Sequence, residues 1–341
     1  MSLIQSTSNA FQLVDRTNDV ILIPQNPTLM SDSGIWVQEY LATRTVTFEE
    51  RNGTISLVKD QVPGSKPQTT SNDVRKLHSY PMTHHPYMDA LFPQDIAGKT
   101  RPGSMGTQLD TKDAAVLVKM EKMRKSFDRT VNFARFRTLA AGDLWAPNGT
   151  IAGNLYTDFG LTRKSVNFVL GTAGTDIIAK CEEIIAHFMA QANAGQEVTG
   201  VTAYCSSGFF TGLINHAKVQ AAYNLHAATA PQQISRDRAG GMALYRRFVF
   251  SNIEFIEVSQ SIDGTPLVDT NKAVFVADDG DGSFVTYYSP AARFGYVNTV
   301  AESMYAWTFE DPRMTEITIE CEMNVLNVMR NPLFVAGGTV S

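Results

Sequence analysis

From Asp110 to Ala141 the sequence reads DTKDAAVLVKMEKMRKSFDRTVNFARFRTLAA, without a proline or a glycine. No other stretch restricts the fold as strongly. A breaker-free run of this length predicts a single helix, with Asp110 or Thr111 as the N-cap and a span of roughly 45 Å. Val116, Met120, Met123, Phe127, Val131 and Ala134 recur at steps of three and four and form one apolar stripe. Lys119, Lys122, Arg124, Lys125 and Arg129 lie close together outside it. They form either a solvated face or a surface turned toward nucleic acid.

On the N-terminal side, residues 1 to about 44 mix polar residues with short apolar clusters such as VILIP, which predicts an extended arm, with one strand or short helix in it, that needs something else to lie on. TVTFEERNGTISLV follows, and its Asn52-Gly53 pair predicts a hairpin, since both residues tolerate the positive φ of a type I′ turn. The chain then turns polar and is punctuated by Pro63, Pro67, Pro81, Pro86 and Pro93. The limbs SLVKDQV and DVRKLHSY flank the tip PGSKPQTTSN, which predicts a long β-excursion away from the body. Beyond the helix, Asn148-Gly149 marks a second hairpin in LWAPNGTIAGNLYTDFGLTRKSVNFVL. After Gly171, helical patterns (TDIIAKCEEIIAHFMAQAN, FTGLINHAKVQAAYN) alternate with strand patterns (VTGVTAYC, FVFSNIEFIEV, KAVFVA), as in an α/β or α+β body. Near the end, Ile317, Ile319, Cys321 and Met323 alternate with polar residues, which predicts a strand with one wet face.

The 341 residues are 43% hydrophobic, enough for two ordinary domains or one large one. A net charge of −5, from 29 Lys+Arg against 34 Asp+Glu, gives the whole chain no electrostatic reason to bind a nucleic-acid backbone, so any such role must come from a local face. Three cysteines (Cys181, Cys205, Cys321) without metal-ligand spacing predict buried thiols in a reducing compartment. The start lacks a basic segment followed by a long apolar core, and no apolar run reaches the ~20 residues of a membrane span, so a soluble, unsecreted protein is expected.

YCSSGFF, from Tyr204 to Phe210, raises the possibility of a nucleophile on a strand-to-helix turn. The glycine expected two positions before the nucleophile is missing, with Ala203 standing there for Cys205 and Tyr204 for Ser206, and Ser207 is equally placed to cap the following helix. His84-His85 beside Asp89 suggests a metal pair, but neighbours in a strand point to opposite faces, and exposed loop histidines are the expectation. ADDGDGSF, with Asp278, Asp279 and Asp281, lacks the ligand spacing of a calcium loop and predicts a hairpin turn between KAVFVA and FVTYYS. Asn52-Gly-Thr and Asn148-Gly-Thr match a glycosylation acceptor that an unsecreted chain does not use. No constellation supports catalysis, a cofactor or a metal.

The order of parts, together with WTFEDPRMTEITIECEMNVLNVMRNPLFV from Trp307 to Val335, resembles the major capsid proteins of tailed phages, specifically the lambda-type capsid protein E family. Trp307, Asp311-Pro312, the alternating strand and Asn331-Pro332 before Phe334-Val335 are similar to that family's closing segment. IAGNLYTDFGLT is similar to the hairpin after its long helix. The resemblance runs from about Thr45 to the end.

It implies an α+β fold of the Hong Kong 97 type (HK-97-like): an N-terminal arm (1–44), a hairpin and extended E-loop (45–107), a P domain with spine helix and hairpin (108–171), an A domain (172–310), and a terminal strand returning to the P domain (311–341). Pro63, Lys66, Pro67, Asn72 and Tyr80 would then serve E-loop contacts with a neighbouring copy, Lys119, Lys122 and Arg129 an interior basic face, and Ser207 and Gly208 an A-domain turn that caps and bends. Some relatives on this fold join an E-loop lysine to an asparagine. Lys66, between Ser65 and Pro67 in a polar turn, is expected to stay an ordinary lysine. The implied function is a non-enzymatic major capsid protein that self-assembles as pentamers and hexamers into an icosahedral shell around double-stranded DNA, which it touches weakly and without sequence preference. Scaffolding, portal and decoration proteins are further implied partners; no membrane is. The implied place is the virion capsid, assembled in the host bacterial cytoplasm. The alternatives are a cytosolic α/β hydrolase using Cys205 or Ser206, and a non-viral nanocompartment shell on the same fold.

Overall fold

In the computed structural model the described residues are 13–25, 28–51, 75–98, 111–145, 151–192, 197–227, 235–239, 243–262, 264–280 and 282–341. The long helix spans Lys112–Ala141. Thr111 caps it, its side chain accepting from the Ala114 amide at 3.3 Å. Gly142 ends it at φ +76°, where a Cβ would also lie 2.4 Å from the Tyr156 ring, so only glycine fits. All six residues of the expected stripe are buried. The C-terminal half differs from the stripe pattern: Val131, Asn132, Phe133, Ala134, Arg135, Phe136, Thr138 and Leu139 are all buried, so this half passes through the interior.

That helix joins two sheets. The first has six strands built around Ile317–Met329, which pairs antiparallel with Tyr305–Glu310 and Thr83–Leu91 along its first half and with Phe284–Tyr288 along its second. Leu13–Asp15 adds outside Tyr305–Glu310, and Trp36–Tyr40 lies parallel to Phe284–Tyr288. Ile319, Cys321, Met323 and Val325 face the helix and form a core with Val116, Met120, Met123 and Phe127. The opposite face, with Glu320, Glu322, Tyr305 and Trp307, is covered by the loop after Tyr288 through Ala292 and Arg293.

The second sheet has seven strands in the order Ser235–Ala239, Ala243–Phe250, Ile253–Glu257, Gly200–Cys205, Lys272–Asp278, Val335–Thr339 and Ser165–Asn167. Phe168 stacks on Phe275 at 5.5 Å, while Phe209 and Phe255 meet Phe275 edge-on. Phe136 reaches Tyr204 at 5.6 Å, so the buried half of the helix is packed into this sheet's core.

Several expectations need correction. The described residues before Thr45 belong to the body around the first sheet rather than to an extended arm, with Val20, Met30 and Trp36 buried. The terminal segment divides between both sheets, and only the first half of Ile317–Met329 alternates, because its second half is covered on both faces. ADDGDGSF is not a hairpin turn: Lys272–Asp278 and Phe284–Tyr288 belong to different sheets, so the stretch is a crossover, in which Ser283 donates to buried Asp279. FTGLINHAKVQAAYN forms two helices, Ser207–Asn215 and Ala217–Ala227. They meet at extended His216, which is buried, donates from Nε2 to the Thr172 carbonyl at 3.0 Å, and accepts from the Lys218 amide at Nδ1. Both expected turns, Asn52-Gly53 and Asn148-Gly149, lie outside the described residues, as does Asp281. The flanking strands pair antiparallel: Thr45–Arg51 with Arg75–Pro81, and Asp143–Trp145 with Ile151–Asn154.

Candidate assembly surfaces

The strand-to-helix junction has no reactive geometry. Cys205 is the last residue of its strand, fully buried, and burial pushes its thiol well above the usual range. Cys181 and Cys321 are also buried, each pushed up to about 12 by desolvation. Ser206, not Ser207, is the N-cap: its Oγ accepts from the Phe209 amide at 3.5 Å. Ser207 is exposed in the first helical turn, one residue too late to cap. Gly208 serves close approach rather than a bend, since a Cβ there would lie 2.2 Å from Asn271 Oδ1.

The histidine pair lies on the strand Thr83–Leu91, not in an exposed loop. His85 is buried, with Nε2 2.9 Å from Thr83 Oγ1. His84 points to the other face, 2.8 Å from Asn324 Oδ1 and 3.3 Å from Glu322. Asp89 pairs with Lys119. Among the described residues no group of three His, Cys, Asp or Glu side chains is placed to hold a metal ion.

Of the residues expected on the excursion, Pro63, Lys66, Pro67 and Asn72 lie outside the described residues. Tyr80 packs within its own chain. It is buried at the root of the Thr45–Arg51/Arg75–Pro81 ribbon, where its hydroxyl donates to Asp158 Oδ2 at 2.8 Å and its ring packs on Phe48. Tyr80 and Val46 are cross-strand partners and so share the inward face of the ribbon. Gly153 admits the ring; a Cβ there would come within 2.8 Å of it. Phe48 also meets Tyr287 edge-on, and His78 meets Phe159 at 4.5 Å. The ribbon is therefore rooted in the body of its own chain.

The basic residues of the helix do not form one face. Lys119 is tied to Asp89 at 3.0 Å and to the Ala90 carbonyl. Arg124 is buried and donates to the Val20 carbonyl at 2.5 Å. Lys125 pairs with Glu121, one turn earlier. Lys122 and Arg129 remain exposed and make no ion pair among the described residues.

Sequence reasoning missed the exposed apolar side chains. Phe294 is 100% exposed, with Val297 and Val300 exposed nearby, beside a groove of about 440 Å³ lined by residues 42–44 and 290–298. At the far end of the six-stranded sheet, Phe92 and Met314 are exposed above a cleft of about 340 Å³. Exposed apolar side chains beside a groove make these two places candidate contact surfaces.

Buried thiols, a capped strand-to-helix junction and large apolar side chains held outward on a two-sheet frame are features of an architectural building block. The sequence specifies which one: residues 14–340 match the family described as phage major capsid protein E, and the chain belongs to that family. It is 35% identical to the major capsid protein of Pseudomonas phage KPP10 over 99% of both chains, and 26% identical to that of Salmonella phage Felix O1, covering 97% of this chain and 96% of the relative. Among solved structures it is similar to a protein assigned as the capsid protein of an E. coli CFT073 prophage (TM-score 0.59, 11% identity, 97% of this chain and 100% of that one). It is also similar to a chain of the bacteriophage PhiM1 mature capsid (TM-score 0.50, 11% identity, 89% and 84%). The fold is of the Hong Kong 97 type, and the protein is a structural, non-enzymatic phage capsid protein. The hydrolase alternative has no support.

Proposed function

We propose that copies of this chain group as pentamers and hexamers into an icosahedral shell enclosing double-stranded DNA. The match to a capsid family across residues 14–340 carries this reading. The six-stranded sheet and the long helix act as the P domain, and the seven-stranded sheet with its helices as the A domain. The E-loop, expected within residues 45–107, excludes Thr83–Leu91, which is a strand of the six-stranded sheet, and the ribbon rooted at Tyr80 carries it toward a neighbouring copy. Its proline-rich, weakly apolar sequence gains too little by burial within one chain to offset the ordering entropy.

Lys122 and Arg129 face the interior. One duplex charge per ~1.7 Å makes each contact weak and salt-sensitive, while many copies act together. Scaffolding, portal and decoration proteins complete the assembly in the host cytoplasm.

Electron microscopy of the purified protein, with nucleic-acid content measured on the same particles, tests the reading. Closed shells are expected, and DNA-filled ones from infected cells. Deleting Pro63 to Asn72 should leave a folded chain that assembles poorly, and Lys122→Gln with Arg129→Gln should lower DNA retention before shell yield. Only small discrete particles from the unaltered chain would overturn the proposal. Shells without nucleic acid from infected cells would favour a nanocompartment.

A further inference from the structure

Phe294 is the most exposed large apolar side chain among the described residues, yet its loop is fastened on both sides of it. The Pro290 carbonyl accepts from Asn324 Nδ2 at 3.0 Å, and the Ala292 amide donates to Glu322 at 2.9 Å. Arg293 pairs with Glu320 and lies 3.9 Å above the Trp307 ring. The Tyr296 hydroxyl donates to Asp15 at 2.5 Å, and its ring meets Tyr305 at 4.9 Å. A phenyl ring held outward on an anchored loop is a knob whose backbone is already placed, so little loop entropy remains to be lost on docking.

The chain also carries a socket. The 340 Å³ cleft is lined by Leu91, Phe92, Pro93, Ile96, Met314 and Ile317, with Lys112, Glu310 and Glu316 at its polar edge. Leu91 and Ile317 sit on the helix side of the six-stranded sheet, whereas the Phe294 loop covers the opposite side. Phe294 of one copy therefore cannot fill the cleft of that same copy. Charge also matches across the two surfaces. Arg293 is paired with Glu320 and Lys112 with Glu310, which leaves Arg44 beside the knob and Glu316 beside the socket without an ion pair among the described residues.

We infer that Phe294 of one copy seats in the Leu91–Phe92–Pro93–Ile96–Met314–Ile317 cleft of a second copy, with Arg44 facing Glu316. This rests on the reading that the chain assembles with copies of itself. The contact is head-to-tail: each copy offers a knob to one neighbour and a socket to another, which closes into rings within a shell.

A chain carrying both Phe294→Cys and Phe92→Cys tests it, because the three native cysteines are buried and contribute no background. Oxidised particles should run as a ladder of covalent multimers that a reductant collapses, while either single variant should give one band. Separately, Arg44→Glu and Glu316→Arg should each cut particle yield about tenfold, with the double variant restoring it. Particles that form without a ladder, and a double charge variant no better than the singles, would overturn the docking and leave the shell reading standing. Failure of the unaltered chain to form any particle would overturn both.

Discussion

Mild acid should weaken the seating of Thr83–Leu91 on the central strand, with His85 as the responsible group. Its ring is only 7% exposed. The Thr83 hydroxyl donates to the Val325 carbonyl, so the Thr83 oxygen accepts from His85 Nε2–H, and an incoming proton must go to Nδ1. Burial first, and the adjacent His84 second, push the pKa of His85 down to about 4 from 6.5. The nearest charges on these strands do not rescue it: Glu322 is turned to His84 on the other face, and Asp89 is held by Lys119. The sign follows from proton counts. Between the two pKa values the unfolded chain holds the proton and the folded chain does not, so stability is complete above about pH 6.5 and declines as pH falls toward about 4. The gap corresponds to on the order of 3 kcal/mol at the acid end, a large part of a typical domain's stability. Denaturant unfolding of the wild type and of His85→Gln between about pH 7.5 and pH 4.5 isolates this group from the carboxylates, which titrate in both. The variant should show a shallower decline by about that amount. Parallel stability curves would refute the reasoning.

Gly208→Ala should cost on the order of 1 kcal/mol in thermal unfolding, because the added Cβ displaces the Asn271 amide oxygen and forces that side chain to rotate. Adding Asn271→Gly, which keeps that backbone and removes the oxygen, should recover most of the loss; a double variant as unstable as the single would show the contact is not the cause. Tyr80→Phe should lower stability by about 1–2 kcal/mol while shell architecture in micrographs stays unchanged, since the exposed Asp158 regains water and the residue faces its own chain. The three thiols should react with a thiol reagent only as the protein unfolds; rapid labelling of Cys205 in native protein would contradict its burial.

Legibility in this sequence tracks how local each cause is. The long helix, its Thr111 cap and its apolar stripe depend on residues within a few positions of one another, and these agree with the structure. Its second half does not follow from that pattern, because Asn132, Arg135 and Thr138 look like surface residues. Asn132 and Arg135 are buried because distant partners satisfy them, the Met30 amide donating to Asn132 and Arg135 donating to Thr286, while Thr138 donates to the Asp143 carbonyl just past the helix end. The Asp-Gly stretch after Asp278 likewise has the local chemistry of a hairpin, and only the choice of sheet for each flanking strand turns it into a crossover. The surfaces are harder to read for a related reason. A capsid protein works through side chains left uncovered, and Phe294 in the sequence ARFGY is chemically the same as a core phenylalanine. Tyr80 and Lys119 read as surface residues on composition and resemblance, but each finds a carboxylate within its own chain. An enzyme's function can be sought in a few polar residues at fixed spacing. Here the informative signal is a hydrophobic residue that stays exposed, a property of the folded surface that no spacing rule encodes.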